Sequence, residues 1–281
     1  MNKTFIIADS GSTKTDWCVV ENGMRMNTIA TKGMNPFFQT SEEMEAEIEE
    51  NLLPHIASRD ISAIYFYGAG CIPAKVPMVE QVLQRCFPEA TTIEVSSDLL
   101  AAARSLCGHD SGIACILGTG SNSCFYDGKD ISFNVPALGF ILGDEGSGAN
   151  LGRLLVGDIL KNQLTDALKE KFFAQFNTNM AEIIERVYRQ PFPNRYLAGL
   201  SVFLIENREV DQVHRLLVNA FQAFIQRNVM QYDYRLYPMN CVGSIAYHYR
   251  SELMEAAQAL GVKVGAIVKS PIDGLVAYHI K

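Results

Sequence analysis

The sequence predicts an α/β protein built as two related lobes, and three observations carry that reading. First, an apolar strand running into a Gly/Ser/Thr-rich turn, a second strand, a hairpin dipeptide and a third strand occur twice, beginning at Phe5 and at Ile113. Second, the first copy continues into alternating strand and helix patterns. Third, the second copy is followed by a long helical stretch before strand signals resume. A repeat of this size argues for two related α/β units, with boundaries at residues 1–110 and 111–281.

The elements follow in order. Lys3–Asp9 is an apolar run that stops at the Asp9-Ser10-Gly11-Ser12-Thr13-Lys14 turn. Thr15–Glu21 is the second strand, Asn22-Gly23 a strong hairpin signal, and Met24–Thr31 the third strand. Ser41 opens a helix in which Met44, Ile48 and Leu52 recur at four-residue spacing. Ile61–Tyr67 reads as a buried strand ending in Gly68-Ala69-Gly70. A helix over Val76–Cys86, a strand over Thr92–Val95 and a helix from about Leu99 complete the first unit.

The pattern then restarts. Gly112–Leu117 is a strand that stops at Gly118-Thr119-Gly120-Ser121. Asn122–Tyr126 follows, then the Asp127-Gly128 turn, then Lys129–Asn134. Residues from about Gly146 to Tyr234 are mostly helical; Val213, Leu216, Leu217, Ala220, Phe224 and Ile225 mark one apolar face. Leu236–Val242 is a strand followed by Gly243-Ser244 and a helix. Val262–Val268 is the last strand, and Pro271–His279 a closing helix.

Composition bounds the function classes. The 281 residues are 48% hydrophobic, enough for a sizeable core. The net charge of -7 and the lack of any Lys/Arg run speak against a nucleic-acid or anionic-membrane partner. The apolar N-terminal stretch is too short for a signal peptide, and no later segment could span a membrane. The seven cysteines are scattered, without a C-x-x-C pair, and read as reduced thiols of a cytoplasmic protein.

Two turns carry phosphate chemistry. In Asp9–Asp16 a strand delivers a carboxylate to a turn of small residues. The backbone amides of Gly11 and its neighbours could approach phosphate oxygens, with Ser12, Thr13 and Thr15 adding hydroxyls and Lys14 a charge. Asp9 could hold Mg²⁺, directly or through water, because Mg²⁺ favours carboxylate plus retained waters. The segment is not a Walker A loop, since the G-x-x-x-x-G-K-[ST] order is absent; a plain polar hairpin is the simpler alternative. Gly118, Thr119, Gly120 and Ser121 repeat the same logic in the second copy. Asn122 beside them could hydrogen-bond a ligand hydroxyl. Asp144 and Glu145 are adjacent carboxylates in a glycine-rich turn and suit ligand hydroxyls as acceptors, or else fix the loop and cap the helix from Gly146.

Taken together these segments resemble the N-acetylglucosamine kinase and BadF/BadG-type ATPase family of the actin–hexokinase–heat-shock ATPase superfamily. Asp9–Asp16 resembles its first phosphate loop, Leu117–Ser123 its second, and Val242-Gly243-Ser244-Ile245-Ala246 its adenosine-binding turn. Leu142-Gly143-Asp144-Glu145-Gly146-Ser147-Gly148 resembles its G-D-E-G-S segment, and Ser270–Leu275 its C-terminal connecting helix. The resemblance implies two ribonuclease H-like (actin-like ATPase) lobes with an interlobe cleft, a helical insertion in the second, and a last helix returning to the first. It implies ATP and Mg²⁺ as cofactors, with Gly243 and Ser244 at the adenosine.

The resemblance also implies a sugar acceptor phosphorylated at C6, and a homodimer. It places the catalytic aspartate at Asp98, in Ser97-Asp98 at a strand end and helix start. A kinase acting on a hydroxyl needs a carboxylate there to accept the proton; the plain alternative is an N-cap. It carries a sugar-contacting Asn over to Asn35. One departure stands out: members often have a Gly-rich, Trp/His-containing run before G-D-E-G-S, where this chain has Pro136–Leu142. An activator ATPase of the BadF type would need cysteines for an iron–sulfur cluster, for which Cys71 and Cys107 are the only tempting positions. A non-catalytic sugar sensor is a further alternative.

Overall fold

The computed structural model describes residues 4–11, 13–56 and 60–280. The chain divides into two compact units. Unit 1 comprises Met1–Asp110, Asp127–Ile131 and Ser270–Lys281; unit 2 comprises Ser111–Tyr126 and Ser132–Lys269.

The first half of the chain runs β1 (Thr4–Ser10), β2 (Lys14–Glu21), β3 (Met24–Lys32), α1 (Ser41–Asn51), β4 (Ala63–Gly68), α2 (Val76–Cys86), β5 (Thr92–Ser97) and α3 (Asp98–Cys107). Next come β6 (Gly112–Leu117), β7 (Ser121–Tyr126) and β8 (Ile131–Val135). The helical stretch comprises α4 (Gly139–Leu142), α5 (Gly148–Leu160), α6 (Asp166–Phe176), α7 (Met180–Tyr188), α8 (Pro193–Leu200), α9 (Val202–Glu206) and α10 (Asp211–Arg227). The chain ends with β9 (Met239–Val242), α11 (Ser244–His248), α12 (Arg250–Ala259), β10 (Val264–Val268) and α13 (Ile272–Ile280).

The repeat read from the sequence is present as topology. The two sheets have the orders β3-β2-β1-β4-β5 and β8-β7-β6-β9-β10. In each, the first strand pairs antiparallel with the second and parallel with the fourth, and the fourth pairs parallel with the fifth. Both units are α/β, as the pattern predicted, and among the described residues no helix is long and apolar enough to cross a membrane.

In unit 1, the period of two along β1 decides which helices each face receives. Ile6 and Ala8 join the cluster under α1 and α2, with Met44, Ile48, Val79 and Leu83. Ile7 points the other way, to Ala101 of α3 and to Ile272 and Leu275 of α13. This strand, covered on both faces, is therefore apolar from Phe5 to Ala8. The Asn22-Gly23 turn has positive φ at both residues, 51° and 76°, as a type I′ hairpin requires. Helix α1 begins with a capping box: Thr40 accepts from the Glu43 N–H and Glu43 accepts from the Thr40 N–H. In unit 2, Ile113, Cys115 and Leu117 of β6 face the helical stretch, packing with Leu151, Leu155, Leu217 and Phe224.

Several boundaries differ from the sequence reading. The strand expected over Leu236–Val242 begins only at Met239. The N–H groups of Leu236 and Tyr237 instead donate to the Asp233 carbonyl at 3.1 Å, closing a turn, and Pro238 has no N–H to offer a ladder. The third strand of the second copy starts at Ile131 because Asp127 Oδ1 takes the N–H groups of Lys129 and Asp130, each at 2.8 Å. The Pro136–Leu142 run, where the chain departs from the family pattern, ends in the single helical turn α4.

Candidate functional site

In unit 1, side chains of chemical interest gather at the carboxyl ends of β1, β4 and β5, the position where open α/β sheets place ligands. Asp9 ends β1 beside Ser10, and Asp98 opens α3 directly after β5. The turn Gly68–Cys71 lies between them. The Ala69 N–H donates to the Ser10 carbonyl at 2.8 Å, and the Cys71 N–H to the Gly68 carbonyl at 3.2 Å.

Asp9 and Asp98 each retain some exposed area but are crowded by surrounding protein. Burial, the Asp98 charge and the Asp16 charge together raise the Asp9 carboxyl from 3.8 to about 7, against a smaller lowering by Lys14. Burial also raises Asp98, opposed by backbone hydrogen bonds. The N-cap of α3 is not Asp98. Ser97 Oγ accepts the Leu100 N–H at 3.2 Å, so Ser97 does the capping. Asp98 accepts the Leu99 N–H through Oδ1 at 2.9 Å, and Oδ2 has no partner among the described residues. The carboxylate is thus fixed by one oxygen at a helix start, with the other available.

The first phosphate loop differs from expectation at Thr15 and at the Gly11 amide, which the Lys14 carbonyl takes. Thr15 is fully buried. Its hydroxyl meets Ser10 Oγ at 2.7 Å, donates to the Lys32 carbonyl at 3.1 Å and lies 3.2 Å from the Met34 N–H. Ser10, equally buried, donates to the Met34 carbonyl at 2.9 Å and accepts the Met34 N–H at 3.0 Å. Thr15 is therefore not available to a phosphate. Its strand alternation sends it inward, where with Ser10 it ties the loop to the segment carrying Asn35. Gly11 donates to the Lys14 carbonyl at 3.0 Å, and the Thr13 carbonyl accepts the Gly33 N–H at 3.1 Å. Thr13 and Lys14 are exposed, and Lys14 pairs with Asp16 at 2.6 Å. Ser12 lies outside the described residues.

Asn35 is held against the Gly68–Cys71 turn. Its Oδ1 accepts the Phe37 N–H at 2.9 Å, its own N–H donates to Gln39 Oε1 at 2.7 Å, and a Cβ on Gly70 would come within 2.5 Å of Oδ1. The Ser10–Thr15–Met34 network and the Gly70 contact were not assigned by sequence reasoning. The Gly68-Ala69-Gly70 punctuation after β4 was the available signal.

In unit 2, the second loop is docked on the start of α5. The N–H groups of Gly148 and Ala149 donate to the carbonyls of Gly118 and Thr119 at 2.8 and 3.1 Å. Ser147 caps the helix through the Asn150 N–H. Within the loop the Gly118 N–H donates to the Gly120 carbonyl at 2.9 Å. The N–H groups of Thr119 and Gly120 have no partner among the described residues, which leaves them as donors for an anion. Ser121 is committed instead: its N–H donates to Asp144 Oδ1 at 3.2 Å and its hydroxyl to the Glu145 carbonyl at 2.8 Å. It locks the loop to the Asp144-Glu145 segment rather than offering a hydroxyl to phosphate.

That segment splits by role. Asp144 sits under Gly120, where a Cβ would approach Oδ2 to 3.0 Å, and burial raises its carboxyl. Glu145 pairs with Arg227 Nε at 2.6 Å, which commits it to the structure. Asn122 does not join them. Side chains alternate along β7, and Ser121 faces Glu145, so Asn122 occupies the other face, where its Oδ1 accepts from Asn134 Nδ2 at 3.0 Å. Gly243 meets the end of β6 with φ +127°, and Ser244 is exposed at the first position of α11.

No family model matches the chain, and no curated protein matches it. Solved structures do. A Porphyromonas gingivalis protein provisionally named an N-acetylglucosamine kinase superposes with a TM-score of 0.96 at 47% identity, covering 98% of each chain. A Chromobacterium violaceum protein provisionally given the same name superposes with a TM-score of 0.76 at 17% identity, covering 99% of each chain. A Streptomyces griseus glucokinase of the ROK family, solved with glucose and AMPPNP, gives 0.56 at 14% identity, covering 99% of this chain and 98% of its own. The latter two share the fold.

Proposed function

This chain belongs to the N-acetylglucosamine kinase and BadF/BadG-type ATPase family of actin-like ATPases as an ATP-dependent carbohydrate kinase, and we propose that its acceptor is an amino sugar, N-acetylglucosamine phosphorylated at C6. The observation that carries the kinase chemistry in this chain is Asp98, half-buried, relieved of capping by Ser97 and with one free carboxylate oxygen. A carboxylate raised by burial is a better proton acceptor than an exposed one, provided it is ionised when substrate arrives. Asp98 accepts the proton of the attacking hydroxyl while Asn35 orients the sugar from the adjoining loop.

In unit 2 the unpaired amides of Thr119 and Gly120 receive phosphate, with Gly118 keeping the approach open; the Gly11–Lys14 turn is the phosphate loop of unit 1. Gly243 and Ser244 receive the adenosine. Asp144 is the remaining sugar contact in unit 2; Glu145, Asn122, Thr15 and Ser121 hold structure. The excess negative charge around Asp9 suits a cation. Asp9 would hold Mg²⁺, itself or through water, together with phosphate oxygens. When bound, Mg²⁺ neutralises charge on the β- and γ-phosphates.

The activator reading has less support than the kinase one, because the relative that is 47% identical over 98% of the chain carries a kinase name; Cys71 is buried and Cys107 half-buried. The deciding experiment is an ADP-release assay over N-acetylglucosamine, N-acetylmuramic acid, N-acetylmannosamine, glucosamine and glucose. Stimulation greatest with N-acetylglucosamine supports the proposal. Stimulation greatest with another sugar replaces the acceptor, and none with any sugar removes the kinase reading.

A further inference from the structure

Unit 2 holds a cavity of about 650 Å³ in the groove between α5 and α10. Neither phosphate loop lines it, and neither does the Gly243 turn. Arg153 enters its wall from α5 and Arg215 from α10, and neither makes an ion pair or hydrogen bond to a described residue. A third guanidinium, Arg227, is already neutralised by Glu145. The remaining acid in the wall, Asp158, makes no ion pair with either arginine. Two guanidiniums without an ion pair thus line one cavity in a chain whose net charge is -7.

The rest of the lining narrows the ligand. Leu154, Leu216 and Ala220 supply apolar surface. Gln212 donates through Nε2 to the Gln163 carbonyl at 3.0 Å, while its Oε1 is buried without a hydrogen-bond partner. An orphaned buried acceptor is costly and calls for a donor. Paired guanidinium forks suit the oxygens of a phosphate dianion. The volume lies within the roughly 300–1,000 Å³ range of small-ligand pockets and exceeds what a free phosphate fills.

We propose that this cavity is a second ligand site that binds a sugar phosphate, the phosphomonoester on Arg153 and Arg215 and a sugar hydroxyl donating to Gln212. Its wall reaches Gly143 and Glu145 on either side of Asp144, but neither phosphate loop lines it, and it does not depend on which acceptor the kinase site uses.

Calorimetric titration of the full chain without nucleotide tests it, with glucose 6-phosphate, glucose and inorganic phosphate as probes. Glucose 6-phosphate binds saturably, and R153A/R215A weakens that binding roughly tenfold or more. R153K/R215K, which keeps both charges, weakens it by a smaller factor and serves if the alanine pair fails to fold. Absence of binding, or equal affinity in the parent and the R153A/R215A variant, overturns the site. Inorganic phosphate or glucose binding as tightly as glucose 6-phosphate overturns the assignment to a sugar phosphate. Because the readout needs neither ATP nor turnover, its failure is distinct from failure of the kinase reading.

Discussion

A Cβ placed on Gly243 would lie 2.2 Å from the carbonyl oxygen of Leu117. The turn after β9 and the end of β6 therefore touch backbone to backbone, at a φ of +127° that only glycine adopts without strain. This contact sets the Gly243-Ser244 turn beside the second phosphate loop. G243A adds both a clash and backbone strain, costing about 2–3 kcal/mol. A lower melting temperature together with weaker ATP binding is the expected outcome. Unchanged ATP affinity would detach this turn from the nucleotide.

Gly120 should be equally intolerant, for a different reason. A side chain there would press on Asp144, 3.0 Å from the position of its Cβ, and cover the free amides of the loop. G120V is expected to lower ATP affinity by about tenfold or more, corresponding to at least about 1.4 kcal/mol. Equilibrium binding of a fluorescent ATP analogue measures it.

Asp98→Asn keeps the shape of the side chain and removes the proton acceptor. The expected result is a fall in kcat of about 10²–10⁴ with nucleotide affinity retained. Single-turnover kinetics with ATP and the best sugar of the panel would expose the idea as wrong if phosphoryl transfer kept its rate.

Thr15→Val separates structure from ligand binding. It removes one hydrogen bond each from Ser10 Oγ, the Met34 N–H and the Lys32 carbonyl, while Ser10 and Met34 stay bonded to each other, costing about 0.5–1.5 kcal/mol of stability per bond lost. Thermal melts should show this loss, while ATP affinity changes little. A large affinity loss at unchanged stability would return the Thr15 hydroxyl to the phosphate.

Asp9 gives a pH prediction. Its carboxyl is raised from 3.8 to about 7 in the folded chain, so the native state keeps a proton that the unfolded chain has already lost. Stability from this group therefore falls as pH rises from about 4 to about 7 and is level above that. Asp9→Asn removes the titration. In EDTA without nucleotide the variant should melt higher than the parent at pH 8, with the gap closed at pH 4. With Mg²⁺ and ATP the order should reverse, because only the parent gains the ligand's stabilisation. A variant that melts lower at pH 8 in EDTA would deny that Asp9 is held against its preference.

By itself the sequence determined the repeat, the strand and helix periods, the two glycine-rich turns and the Asp98 position at a helix start. Those signals are local: hairpin dipeptides, caps and apolar periods act within a few residues of their own chain. Tertiary structure decided which polar groups remain free. Thr15 and Asn122 look like ligand residues in one dimension, because a hydroxyl or carboxamide near a turn reads the same whether it faces a ligand or the interior. The partners that occupy them, Ser10, Met34 and Asn134, come from other strands or loops. Glu145 lost its candidacy to Arg227 at the far end of α10. Asp98 kept its own because Ser97 took the cap. A side chain's availability is set by long-range hydrogen bonding and burial, and those exist only once the chain has packed.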